Sequence, residues 1–217
     1  MERREIFEFL EELQLNNSKE WMDANRKWYE QTKKIIFNTF DPILEKIKDR
    51  DPRIVTANAR KGLNRINNNL MFHPDRPTYK DHFGIGFGYG KGLADFYIHL
   101  GVNETLVAGG LWHPPVDKLK KLRSEIDYEG DRLEAVLNSS FFQNHFQLFQ
   151  EDRLTNAPKG YSKDHKHIEL LKMKSLGAWR NFEKELFFRD DFEVLVLESF
   201  EVLQPMIDFI NVAISDE

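Results

Sequence analysis

The strongest constraint on this chain's fold is an alternation. From His82 it reads Phe-Gly-Ile-Gly-Phe-Gly-Tyr-Gly-Lys-Gly, with glycine at 84, 86, 88, 90 and 92. In an extended segment, period two puts every glycine on one face and Ile85, Phe87 and Tyr89 on the other. A face without side chains lets a helix, a ring or a ligand approach the backbone closely. The spacing therefore predicts a strand whose later glycines form an exposed turn. The run is no nucleotide loop: a phosphate cradle needs G-x-x-x-x-G-K-[ST], and here Lys91 is followed by Gly92.

Two more strand candidates follow, Asp95 to Gly101 and Thr105 to Trp112. Their short connection implies antiparallel pairing. Helical spacing dominates on either side. Ile6, Phe7, Phe9, Leu10 and Leu13 form one stripe, ending at Asn16-Asn17. Asn17 with Glu20 reads as an N-cap and capping box opening a longer helix that carries Trp21, Ala24, Trp28, Tyr29, Ile35 and Ile36. Asp41-Pro42 is expected to restart that helix. Beyond Pro115, a short helix through Leu122 and a second around Leu133–Leu137 are expected, and Phe141–Phe149 continues with helical spacing. Asp164 is read as the cap of a helix through Met173, and a last helix of about 191–214 as interrupted near Pro205. Trp21, Trp28 and Trp112 are expected to be largely buried. Helices, strands, then helices, without βαβ alternation, describe an α+β fold: a central antiparallel sheet packed by N- and C-terminal helices. No repeat or linker interrupts the chain, so 1–217 is read as one domain.

Composition narrows the function classes. Hydrophobic residues at 41% and charged residues at 31% fit a folded chain with its own core. There is no cysteine, which removes disulfides, thiolate metal sites and cysteine nucleophiles together and suits a reducing compartment. With no signal-peptide pattern at the start and no stretch suited to a spanning helix, a cytoplasmic location without membrane contact is expected. Nucleophile motifs of the G-x-S-x-G kind are absent, and Ser139-Ser140 reads as a helix cap. Seven histidines include no H-E-x-x-H. His165 and His167, placed at a helix start, would diverge by about 200°. His73 and Asp75 are explained as turn chemistry beside Pro74 and Pro77. Neither a metal nor a cofactor is expected.

What remains is a basic island, residues 58–80. It holds Arg60, Lys61, Arg65, Arg76 and Lys80 against the single acid Asp75, in a chain of net charge −5. Arg65 and Asn67 would share one face of a strand, with Asn69 and Met71 continuing it, while Arg76, Tyr79 and Lys80 sit across the following loop. Arginine offers a planar fork and tyrosine a hydroxyl, so Arg65, Asn67, Asp75, Arg76, Tyr79 and Lys80 form the candidate binding set for a phosphate or carboxylate. The alternative is a solvated edge with Arg65 held in an internal salt bridge.

Four segments resemble the signatures of a family known as domain of unknown function 2461. They are Leu15–Glu30, carrying Asn16-Asn17, Glu20-Trp21 and Tyr29; Arg65–Lys80; Gly109-Gly-Leu-Trp-His-Pro114; and Leu154–His165. They occur in order along nearly the whole chain. The second signature usually places Arg-Asp where this chain has Asn68-Asn69, and Arg where it has Met71. If the family's site is a charged network, this member lacks two cations and a carboxylate from it, which points toward binding. The resemblance implies one full-length domain and brings no reaction with it.

Two functions stay open. One is an anion-recognising cleft around the island for a phosphate- or carboxylate-bearing small molecule, to which an enzyme would add Asp75, His73 or His113 as acid or base. The other is a non-catalytic module docking an acidic protein or a nucleic acid; net charge disfavours the latter. A deep pocket would mark the first, and a basic ridge with exposed aromatics the second. Oligomeric state is not encoded in any pattern found.

Overall fold

The glycine alternation forms strand β1 (His82–Gly88), and the chain then turns through Gly90 and Gly92, both at positive φ (142° and 75°). The bare face is used at Gly84, where a Cβ would run into the phenol ring of Tyr97 on the neighbouring strand. Strands β2 (Asp95–Gly101) and β3 (Thr105–Leu111) follow. Two late strands that the sequence pattern did not reveal, β4 (Gln147–Leu148) and β5 (Leu176–Asn181), complete an antiparallel sheet in the order β1-β2-β3-β5-β4. In β4 and β5, Gln147 lies opposite Trp179 and Leu148 opposite Ala178. The fold class is α+β.

The computed structural model describes residues 2–215, and its contacts divide them between two compact units. The first holds the chain up to Phe87, Tyr97–Val107 and Asn181–Leu197. In it α1 (Arg4–Leu15) buries Ile6, Phe9, Leu10 and Leu13 against α3 (Arg26–Arg50) and β1. Phe9 is fully enclosed, with its ring 5.4 Å from Trp28, 5.7 Å from Tyr29 and 6.2 Å from Phe83. The second unit holds Gly88–Phe96, Ala108–Arg180 and the chain from Glu198. Its largest helix is α5 (Val116–Leu137); the later part of α9 (Phe192–Ile214) packs Phe200 edge-on against Phe96 of β2.

Several local expectations change. Ser18, not Asn17, caps α2 (Lys19–Ala24), its hydroxyl accepting from the Trp21 N–H at 3.2 Å. The single long helix expected here breaks at Asn25, between α2 and α3. Pro42 does not restart α3. The buried stripe Ile36, Phe40, Ile43, Leu44 and Ile47 continues through it without a phase break, so packing outweighs one lost hydrogen bond. Asp41 instead accepts the Ala59 N–H at 2.7 Å, at the start of the short helix α4 (Ala59–Gly62). Pro205 likewise lies inside an unbroken α9. The two helices expected after Pro115 are joined as α5, with a kink at Glu129 (φ −117°, ψ 21°). The phenylalanine-rich stretch after it forms only α6 (Ser140–His145) before β4 begins. The helix expected from Asp164 to Met173 shrinks to α7 (Ile168–Leu171); the short helix α8 (Lys184–Phe187) follows β5. Trp21 and Trp28 are half-buried, but Trp112 is 52% exposed. Among the described residues no helix is long and apolar enough to cross a membrane.

Candidate functional site

Residues 64–80 form an irregular hairpin in the first unit. Its arms are joined by Asn68 N–H to Thr78 O (3.0 Å) and Lys80 N–H to Ile66 O (2.8 Å), with Asn67 opposite Tyr79. The tip is a tight turn in which the N–H groups of Phe72 and His73 both donate to Asn69 O. Asn68 Nδ2 also donates to Pro77 O at 2.9 Å, crossing the arms. The hairpin is held from outside by Asn17: its Nδ2 donates to Tyr79 O and its Oδ1 accepts the Tyr79 N–H, each at 2.9 Å. One side-chain amide thus reproduces both hydrogen bonds of a neighbouring strand.

The expected site residues do not all come together. Arg65, Arg76 and Lys80 lie together. Lys80 Nζ donates to the Arg65 carbonyl at 2.7 Å. Partial burial pushes the Lys80 pKa down, and the positive charges of Arg65 and Arg76 push it down further. Among the described residues neither arginine has an acidic ion-pair partner, so the internal salt bridge considered for Arg65 does not form. Asp75 and Asn67 are exposed on the hairpin, as is His73. Tyr79 belongs elsewhere: next to Lys80 in an extended arm it points the opposite way, and it is buried close enough to Tyr29 and Lys19 to influence their ionisation.

At the tip lies a feature that the charge pattern hid. Leu70 is 38%, Met71 80% and Phe72 69% exposed. The sequence signal was present, three consecutive apolar residues between asparagines and a turn, but nothing in it said that they would remain uncovered.

The second unit carries polar clusters of its own. His113 and Asp152 are, among the described residues, the non-glycine positions with positive φ (45° and 59°), and they pair with each other, His113 Nδ1 to Asp152 Oδ2 at 3.1 Å. Histidine and aspartate tolerate this left-handed geometry better than most residues. The His113 N–H donates to the buried Ser175 hydroxyl at 2.9 Å, and the Trp112 ring lies 5.0 Å from Phe149. A groove of about 590 Å³ runs beside α5 and α6, lined by Glu134, Asn138, Phe142, Gln143, Leu148 and Glu169 among others. His165 and His167 do not diverge on a helix as expected. The segment before α7 is a turn, both rings face α5, and their centroids are 5.8 Å apart.

A family model described as conserved hypothetical protein, DUF2461, matches residues 5–209. The chain belongs to that family. The match extends over both units; the first two signatures lie in the first unit and the last two in the second. In this DUF2461 protein, Asn17 of the first signature is the residue that clamps Tyr79 of the second. Comparison with the curated proteins and with the solved structures finds no match.

Proposed function

We propose that this DUF2461 protein is a cytoplasmic docking module, whose 64–80 hairpin grips an acidic, partly apolar segment of a partner protein. One observation carries the reading: Arg65, Arg76 and Lys80 converge without an acidic counter-charge, on the hairpin that leaves Met71 and Phe72 uncovered. Three neighbouring cations repel one another, and an incoming carboxylate relieves that repulsion. Arginine supplies bidentate recognition, and an unbranched methionine moulds to varied apolar surfaces. Exposed apolar groups on the same hairpin as a basic cluster match an interface better than a small-anion cleft, which has no use for them. A protein partner is favoured over nucleic acid because the chain as a whole is negative, at −5. Asn68, Asn69 and Met71 fit the same reading, since binding needs no carboxylate at position 69.

Fluorescence anisotropy tests this with a labelled peptide that alternates Glu with Leu and Phe. Salt-sensitive binding is expected. Arg65→Glu with Arg76→Glu should abolish it, and Phe72→Ala should weaken it by about 1–2 kcal/mol, from partial loss of an aromatic side chain's burial. No binding to the peptide, tighter binding to a single-stranded oligonucleotide, or equal protection by free phosphate or citrate would refute the docking reading.

A further inference from the structure

In the second unit, the turn before α7 meets one face of α5. Asp127, Asp131 and Glu134 are spaced to stack on a helix face, and His165, Lys166 and His167 oppose them. The two histidines differ in what their ring nitrogens are committed to. His165 Nδ1 accepts the His167 N–H at 3.0 Å, so its proton sits on Nε2 and is donated to Asp127 Oδ1 at 2.8 Å. Both nitrogens are used. His167 is buried, and its Nδ1 lies 2.9 Å from Glu134 Oε1. A carboxylate can only accept, so in the neutral ring the proton belongs on Nδ1 and the Nε2 lone pair is left available. That lone pair stands 3.7 Å from Asp131 Oδ1.

Nitrogen and carboxylate donors at that separation, with a second carboxylate behind the imidazole, are what a small divalent cation uses. Donors about 2.0–2.1 Å from zinc stand roughly 3.3 Å apart in a tetrahedron, so a shift of a few tenths of an ångström would bring both into range. The donor atoms of Asp131, Glu134 and His167 all lie within 4.8 Å of one another. The backbone is shaped for the ring: α5 kinks at Glu129, and at the next residue, Gly130, a Cβ would collide with His167. A cation already occupies the outer carboxylate. The Lys166 ammonium hydrogen-bonds to Asp131 and holds its carboxyl below the ordinary range.

We propose that Asp131 and His167 Nε2 bind a divalent first-row transition cation of the zinc class, with Glu134 orienting the imidazole from behind and the Lys166 ammonium displaced from Asp131. Imidazole with carboxylate selects zinc, cobalt or nickel over magnesium and calcium, which take oxygen donors. Water completes the coordination, and the bound cation ties the 162–167 turn to α5. The site is independent of the hairpin's docking role and stands or falls separately.

The test uses the full chain, stripped with chelator and titrated with Zn2+, Co2+ and Mg2+ in thermal-shift and calorimetric assays. Zn2+ should stabilise the protein and Mg2+ should not. Lys166→Ala, which removes the competing ammonium, should bind Zn2+ several-fold more tightly. Asp131→Asn and His167→Gln should each lose binding; Asp131 is exposed, so its variant keeps the test valid even if the buried histidine variant misfolds. Bound Co2+ should show visible absorption that is absent from the Asp131→Asn variant. The proposal is overturned if neither the wild type nor Lys166→Ala responds to Zn2+, or if the response persists in Asp131→Asn.

Discussion

Replacing Asn17 with alanine isolates how the hairpin is held. The substitution removes both hydrogen bonds to the Tyr79 backbone, each 2.9 Å long, and introduces no charge. A net hydrogen bond contributes about 0.5–1.5 kcal/mol, and a buried group left without a partner costs about 1–3 kcal/mol. Tyr79 is only 6% exposed, so water reaches its amide poorly. The expected loss is about 2 kcal/mol, a drop of up to roughly thirty-fold in the folded-to-unfolded ratio. Asn17→Asp sharpens the argument. It keeps an acceptor for the Tyr79 N–H but turns a carboxylate oxygen toward the Tyr79 carbonyl, so it should cost at least as much as alanine. Urea denaturation at pH 7 gives the stabilities, and hydrogen exchange should show the Tyr79 amide losing protection in both variants. Binding of the acidic peptide should weaken as well, because the cations sit on a hairpin no longer held in one geometry. An Asn17→Ala protein within 0.5 kcal/mol of wild type, with a protected Tyr79 amide, would refute the clamp.

Two further outcomes follow from the pairing of β1 with β2. Burial, helped by the stacked His82 with its ring 4.1 Å away and opposed by Asp81, pushes the His99 pKa down to about 4. The unfolded chain therefore takes up this proton first as pH falls, and stability present above about 6.5 should be lost progressively toward pH 4, by at most about 3 kcal/mol. Thermal unfolding across that window should show a shallower pH dependence in His99→Gln; an unchanged slope would show that His99 is not the group responsible. Gly84→Ala should destabilise by about 1–3 kcal/mol, because the new methyl meets the Tyr97 ring. Combining it with Tyr97→Ala should cost less than the two single changes together, and a neutral Gly84→Ala would deny the close approach.

Whatever local periodicity controls was legible in the chain before folding was considered. Alternating glycines made β1 and its turn, the apolar stripe of Ile6–Leu13 made α1, and the order of helical and strand patterns gave an α+β class. The sequence also placed Arg65, Arg76 and Lys80 near one another, since a proline-rich turn returns the chain on itself. Features that depend on which face meets which neighbour were fixed by long-range packing instead. Asn17 looked like a helix cap because its spacing to Glu20 was right, yet a partner 62 residues away takes its amide. Tyr79 looked like a ligand beside Lys80, but adjacent residues of an extended arm face opposite ways, and burial took the tyrosine. Strands β4 and β5 are too short or too irregular in pattern to announce themselves, and exist because β5 pairs with β3 on one side and with β4 on the other. His165 and His167 were read on a helix that does not form there. In the turn that replaces it both rings face the acids of α5, an arrangement fixed by packing between segments more than thirty residues apart, which no local spacing can encode.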